Sequence, residues 1–297
     1  MNEKYLIANG LRLAYNDFGD EQDPAIILIM GIATQMIAWP NEMCETLANH
    51  GFYVIRFDNR DVGLSQKIEL HKPVSLPKIL FKYQLKLPFS SPYRLTDMAN
   101  DALGLLKALK IQKAHWVGAS MGGMIAQVLA AQAPEQTLSL TSIMSTSGNR
   151  SLPKADLKTL KQLLFRPNAK NESDYVKHNL KTWKMIGSPD YPPKESDLAK
   201  KILTSLHRNY YPAGFHNHMA AILESGDRRG LLRKIATRSL IIHGKKDKLI
   251  PVECGIDTAN NIKNATLELI PGMGHDIPKE LIPKLVNSIA KHAKASC

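Results

Sequence analysis

The 297-residue sequence predicts an α/β fold: a mostly parallel eight-stranded sheet with helices on both faces and a helical cap inserted after the sixth strand. Three observations carry that reading. Short apolar runs alternate with stretches of helical period after an opening hairpin signal, the pattern of parallel strands joined by helices. The stretch "HWVGASMGGMIAQ", His115 to Gln127, passes from a strand-like run into helix formers through a serine with glycine two positions away on either side. Residues 149–222 interrupt the alternation with short helical stretches broken by proline and glycine.

In chain order, "YLIANGLRLAY" sets Asn9-Gly10 between two strand-like runs, a hairpin signal. "PAIILIMG" reads as a fully buried strand ending at Gly31, a helix is expected from about Gln35 to Asn49, and "FYVIRFDNR" makes the next strand. "LTDMANDALGLLKALKI" suits an amphipathic helix, with Thr96 as N-cap and Met98, Leu105, Leu106 and Leu109 apolar. The strand and helix around Ser120 follow, then "LSLTSIMSTS" as a strand. "RSLIIHG" and "ATLELIPG" are the last strands, "VECGIDTANNI" lies between them as a helix, and "LIPKLVNSIAKHA" closes the chain. The core is therefore expected over 1–148 and 223–297. A helical cap is expected over 149–222, broken at Pro167, Gly187, Pro189, Pro192 and Pro193, and a smaller lid-like insertion over 66–94.

Composition sets the class. With 44% hydrophobic and 22% charged residues, the chain reads as an ordinary soluble globular protein. No apolar run approaches the roughly 20 residues that span a bilayer. "MNEKYLIANG" lacks the basic and apolar regions of a secretory signal, so a cytoplasmic location is expected. Cys44, Cys254 and Cys297 are scattered without ligand spacing, which argues against a disulfide framework or a zinc site.

Glycine on both sides of Ser120 suggests a cramped, strained turn that holds the hydroxyl clear of the backbone. Taken alone, the motif equally describes a glycine-rich turn whose serine caps a helix. A serine hydroxyl is a weak nucleophile without a base, and the base needs an acid to fix its tautomer. Both are present downstream. "IIHGKKDKLIP" places Asp247 just past one strand, and "LIPGMGHDIP" places His275 just past the next, at the strand ends where sites of parallel sheets gather. The order Ser, Asp, His, with separations of 127 and 28 residues, leaves room for an insertion and then for one helix and one strand. Acyl transfer also needs donors for the oxyanion, expected from the backbone N–H groups of Met121 and Ile32, with Gly31 permitting close approach. His115 and His243 lie within strands and read as hydrogen-bonded structural residues. His216 and His218 form a His-x-His too sparse for a metal site, and Asp276 is expected to point away from the base.

With these residues in place the chain resembles the α/β-hydrolase superfamily along nearly its whole length. "LIMGIATQMIAWP", "VIRFDNRDVGLS", "LTDMANDALGLLKAL" and "GASMGGMIAQ" are similar to the group that includes aclacinomycin methylesterase and related carboxylesterases. The resemblance implies a cofactor-independent carboxylic ester hydrolase acting on a small-molecule ester. Thioester cleavage, carbon–carbon bond hydrolysis, perhydrolysis and a non-catalytic binding role stay open beside it. The chain carries Met30-Gly31 where many relatives have His-Gly, and Asp58 and Asp61 of "DNRD" read as a structural turn. Dehalogenases and epoxide hydrolases of this fold attack with an aspartate at the elbow, which here is Ser120. Trp183, Tyr210, Tyr211 and Phe215 are expected either to shape an acyl pocket or to pack the cap.

The formal net charge is +12. Residues 149–222 carry thirteen Lys or Arg against six Asp or Glu, and residues 66–94 carry six against one, so the rest of the chain is formally neutral. In "SLPKILFKYQLKLP", Leu76, Ile79, Leu80, Tyr83 and Leu87 would share one helix face and Lys78, Lys82 and Lys86 another. Such a segment serves as a packed lid helix or as a membrane or partner contact through 76–87. A basic rim around the pocket would favour anionic or carrier-presented substrates. Nucleic acid is a poor partner, because aromatics are not interleaved with the basic residues. The sequence leaves oligomeric state open.

Overall fold

The computed structural model describes residues 3–164 and 171–296; Pro167 and Cys297 lie outside them. β1 (Lys4–Ala8) and β2 (Leu11–Phe18) form an antiparallel hairpin. Asn9 and Gly10 at its turn have φ of 50° and 76°, the left-handed pair that a two-residue hairpin loop needs. There follow β3 (Ala25–Ile29), α1 (Asn41–Asn49), β4 (Tyr53–Phe57), α2 (Leu76–Gln84), α3 (Leu95–Ala108), β5 (Ala114–Ala119), α4 (Met121–Gln132) and β6 (Thr137–Ile143). Next come α5 (Leu157–Leu164), α6 (Glu172–Ile186), α7 (Glu195–Arg208), α8 (Pro212–Ser225) and α9 (Arg229–Leu232). β7 (Ser239–Gly244), α10 (Val252–Asn260), β8 (Thr266–Ile270) and α11 (Ile282–Lys294) complete the chain.

The eight strands make one sheet in the order β1-β2-β4-β3-β5-β6-β7-β8. β1, β2 and β4 pair antiparallel, and every pair from β4 to β8 is parallel. Side chains that alternate along a strand reach opposite faces, so β3 feeds two cores. Ile27 and Ile29 join Met98 and Leu105 of α3 and Ile125 of α4, while Ile26 and Leu28 join Met43 of α1 and Leu285 and Ile289 of α11. Each such side chain contributes about 1.5–3 kcal/mol by leaving water. Two packed faces fix the strands, so the loops at their carboxyl ends start from a rigid edge.

Three local expectations need correction. The helix expected over Gln35 to Asn49 is a single turn, Met36–Ala38, followed by α1 from Asn41. Pro40 causes the break, since it offers no N–H and disfavours helical angles at Trp39. Thr96 does not cap α3, which begins at Leu95; instead Arg94 N–H donates to the Asp97 carboxylate at 2.7 Å. Leu76 and Ile79 of α2 are buried and Leu80 and Tyr83 half-buried, but Leu87 is exposed. α2 ends at Gln84, and Lys86 at φ 56° turns the chain away before Leu87 can share the packed face.

Candidate active site

β5 delivers Ser120 to the carboxyl edge of the sheet, where its backbone turns sharply at φ 56° and ψ −120° before α4 begins. A non-glycine residue held there costs roughly 1–3 kcal/mol, so the surroundings must enforce the angle. They do so from both sides. Ser120 N–H donates to Ile143 O at 2.9 Å, and the Ser145 hydroxyl donates to Ser120 O at 2.8 Å. The flanking glycines are explained by contact: a Cβ on Gly118 would lie 2.0 Å from Gly122 O, and one on Gly122 would lie 2.0 Å from Ile29 O. No side chain fits where the turn folds back on β5 and β3.

His275 lies in the loop after β8 with Nε2 3.1 Å from Ser120 Oγ. Its Nδ1 is 2.7 Å from Asp247 Oδ2, in the loop after β7. An ionised carboxylate only accepts, so the ring proton belongs on Nδ1 and Nε2 is left to accept from the serine hydroxyl. The second Asp247 oxygen accepts from Leu249 N–H at 2.9 Å and Ile250 N–H at 2.8 Å. Burial alone would raise the Asp247 pKa, but the attraction of His275 with its hydrogen bond, and the nearby His243 ring, outweigh it and hold the carboxyl at about 2. His243 thus does more than its strand position suggests: Nε2 donates to Ile250 O at 2.8 Å and lies 3.5 Å from Asp247 Oδ2, so it steadies the residue whose N–H meets Asp247. Asp276 points away from the site, as expected, and accepts from Ser188 N–H at 3.0 Å.

Opposite Ser120, the turn after β3 brings Gly31 so close that an added Cβ would sit 3.1 Å from Ser120 Cβ. Ile32 follows it, and Met121 opens α4 directly after the serine. The turn is held by buried polar groups. Asn59 donates to Met30 O at 3.0 Å, and the Asp58 carboxylate accepts from Met36 N–H and pairs with Arg208, each at 2.7 Å. Ala33, at φ 48°, donates its N–H to His218 Nδ1 at 3.1 Å, while His218 Nε2 donates to Arg60 O at 2.8 Å. Both nitrogens of this fully buried ring are engaged, and burial lowers its pKa to about 4, so it is neutral. Asp61 accepts from Tyr93 Oη at 2.7 Å and Asn217 Nδ2 at 2.9 Å, and Arg60 pairs with Asp101 at 2.6 Å.

Two residues of this arrangement escape sequence reasoning. His218 reads as half of a His-x-His motif, yet its partner Ala33 lies 185 residues away. Ser188, just past α6, donates its hydroxyl to Asp276 and accepts Gly274 N–H at 2.8 Å, while Ile186 O accepts His275 N–H at 2.7 Å. Only the fold brings them together. The segment between β6 and β7 therefore grips both the turn after β3 and the loop that carries His275. Phe215 of α8 is fully buried, and Tyr210 packs edge-on against Tyr175 at 5.2 Å. A separate groove of about 620 Å³ runs between α6 and α7 beside Val176, Leu180 and Leu203, with no wall from the Ser120 loops. Among the described residues, no cluster of three or more His, Cys, Asp or Glu side chains could hold a metal.

A family profile described as the α/β hydrolase fold matches residues 24–280. The chain belongs to that family. Among curated relatives of this α/β hydrolase is rhodomycin D methylesterase DauP of Streptomyces sp. strain C5, 28% identical over 94% of this chain and 93% of that one. The corresponding enzyme DnrP of Streptomyces peucetius is 26% identical over the same shares. Solved α/β hydrolase structures agree in fold. The meta-cleavage product hydrolase of Pseudomonas fluorescens superposes with a TM-score of 0.76 at 17% identity, covering 99% of this chain and 98% of that one. An esterase of Thermogutta terrifontis gives 0.74 at 20% identity, covering 100% and 99%.

Proposed function

We propose that this α/β hydrolase is a serine esterase that cleaves carboxylic esters through an acyl-enzyme, with Ser120, His275 and Asp247 as its catalytic triad. The observation that carries the reading is the continuous chain from Ser120 Oγ to His275 Nε2 at 3.1 Å and from His275 Nδ1 to Asp247 at 2.7 Å, on a strained turn. Ser120 Oγ attacks the ester carbonyl carbon as His275 Nε2 takes its proton. The negative charge that develops on the carbonyl oxygen is met by the Met121 and Ile32 N–H groups. As the tetrahedral adduct collapses, the carbon–oxygen bond to the alcohol breaks and His275 returns the proton to the leaving oxygen. Water then gives its proton to His275, attacks the acyl group, and releases the acid and free Ser120. Asp247 keeps the ring in the required tautomer and offsets its positive charge in both halves. The two methylesterase relatives support a methyl ester of a small molecule as substrate. The positive charge concentrated in 66–94 and 149–222 supports an anionic one.

The test pairs a fluorophosphonate probe with a panel of methyl and p-nitrophenyl esters, neutral and anionic, on wild type and Ser120→Ala. Labelling and turnover that both disappear in the variant are expected. Turnover that survives would remove Ser120 from the mechanism. A steeper loss of rate with salt for the anionic esters is expected, and equal salt curves would discard the charge preference.

A further inference from the structure

We propose that α2 and the turn after it form a docking surface for an anionic lipid bilayer, with Phe81 and Leu85 entering the headgroup boundary and Lys78, Lys82 and Lys86 meeting lipid phosphates. The placement of side chains around the helix carries the inference. Leu76, Ile79, Leu80 and Tyr83 take up the inner side, where α2 packs on α8. Arg150 clamps that side, its guanidinium 4.0 Å over the Tyr83 ring and hydrogen-bonded to Tyr83 O. Phe81 and Leu85, four residues apart, stand on the opposite side and are 65% and 54% exposed. Lys78 and Lys82, also four apart, run alongside them in water. A helix that needed only to pack its inner face would carry polar residues outside. This one carries two large apolar side chains that no described residue covers, flanked by lysines that make no ion pair among the described residues.

The chemistry of the ridge selects its occupant. Of the six Lys or Arg in 66–94, Arg94 already pairs with Glu224 and Lys67 with backbone carbonyls, while Lys78, Lys82 and Lys86 are exposed and the one acidic residue is Glu69, so a partner must bring negative charge as well as an apolar layer. An anionic bilayer offers both, with phosphates at the depth of the lysines and acyl chains just beneath. Among the described residues no helix is long and apolar enough to cross a membrane, so contact stays at the surface. One short helix gives weak, reversible association that salt reverses. The surface is independent of the ester chemistry, which uses none of these residues.

Sedimentation with vesicles decides it. Wild type is expected to pellet with vesicles of phosphatidylcholine containing about one-third phosphatidylglycerol and to stay in solution with phosphatidylcholine alone. Lys78→Glu with Lys82→Glu is expected to lower partitioning by at least about 25-fold, since one surface lysine is worth about fivefold. Phe81→Ser with Leu85→Ser is expected to lower it by about tenfold. All these side chains are exposed, so unchanged melting and unchanged turnover of a soluble ester serve as controls for folding. Phe81→Trp supplies a second readout, a blue shift of emission with the anionic vesicles only. The proposal is overturned by equal binding to both vesicle types, by binding that neither double variant weakens, or by the absence of binding. It is also overturned by a dimer in light scattering that Phe81→Ser with Leu85→Ser dissolves while vesicles bind nothing, which would assign the ridge to a second copy.

Discussion

The loop after β4, which holds the turn after β3, and helix α2 are both rich in charge, and they differ in where that charge finds its partners. Around the turn, Asp58, Asn59, Arg60 and Asp61 are buried, and the chain itself supplies Met36, Arg208, Met30, Asp101 and Asn217 to meet them. Along α2, Lys78, Lys82 and Lys86 stand in water. Charge that is buried and partnered fixes geometry, because a shift leaves a further donor or acceptor unpaired at about 1–3 kcal/mol. Charge in water adds little to the fold and is free to meet something outside it. One region fixes the backbone beside Ser120; the other faces the solvent.

The sharpest way to break this contrast is to remove a buried charge while leaving its shape. Asp247→Asn keeps the volume and can still take part in hydrogen bonds. It loses the charge that offsets a protonated His275, and its amide favours the wrong tautomer. If the proposed triad operates, kcat for a p-nitrophenyl ester falls by about 10⁴-fold with little change in melting. A drop of less than about tenfold would mean that the acid does not orient the base.

His218 sharpens the comparison at a distance from the nucleophile. It touches neither Ser120 nor His275, and it holds the left-handed Ala33 next to the proposed Ile32 donor. His218→Ala frees that turn, and a misplaced oxyanion donor costs rate more than binding. kcat is expected to fall by about 10- to 100-fold while KM stays within about twofold. His218→Gln, which keeps a donor and an acceptor, should recover part of the loss. A parallel rise in KM, or no rescue by glutamine, would reduce His218 to ordinary packing.

The limits of sequence reading follow the same division. The strands were legible because apolar runs such as "PAIILIMG" suit a sheet covered on both faces, and its mostly parallel character followed from their alternation with helices; the order, with β4 between β2 and β3, had no signal in the sequence. Ser120, Asp247 and His275 were legible because each sits just past a recognisable strand, and the structure brings them within hydrogen-bonding distance. Helix starts were less so: Pro40 and Asp97 decided two of them by local chemistry that a periodic pattern does not weigh. His218, Ser188 and His243 were missed or undervalued for a different reason. Their partners are backbone groups, and a backbone N–H or carbonyl leaves no mark in the sequence. Phe81 and Leu85 stood outside the predicted apolar face, and only the packed helix shows that no described residue covers them.

Buried histidines differ from the solvated lysines of α2 in their response to pH as well. Burial lowers the pKa of His115, His218 and His292 to about 4, and none of the three is exposed. In the unfolded chain each titrates near 6.5, so between these values the unfolded state binds the proton and the folded state does not. Stability contributed by the neutral ring is present above about pH 6.5 and lost as pH falls toward 4. Each histidine should then cost up to about 1.4 kcal/mol per pH unit, or about 2 kcal/mol by pH 5. The Asp276 carboxyl, pushed up by burial, acts in the opposite sense, so the contrast is drawn between proteins that share it. His292→Gln retains an amide donor for Leu140 O, which His292 Nε2 meets at 3.1 Å, and cannot take up the proton. Urea unfolding at pH 7.5 and pH 5 should show the variant losing about 2 kcal/mol less than wild type on acidification. Equal losses would mean that His292 reaches water and belongs, with the lysines of α2, to the solvated part of the molecule.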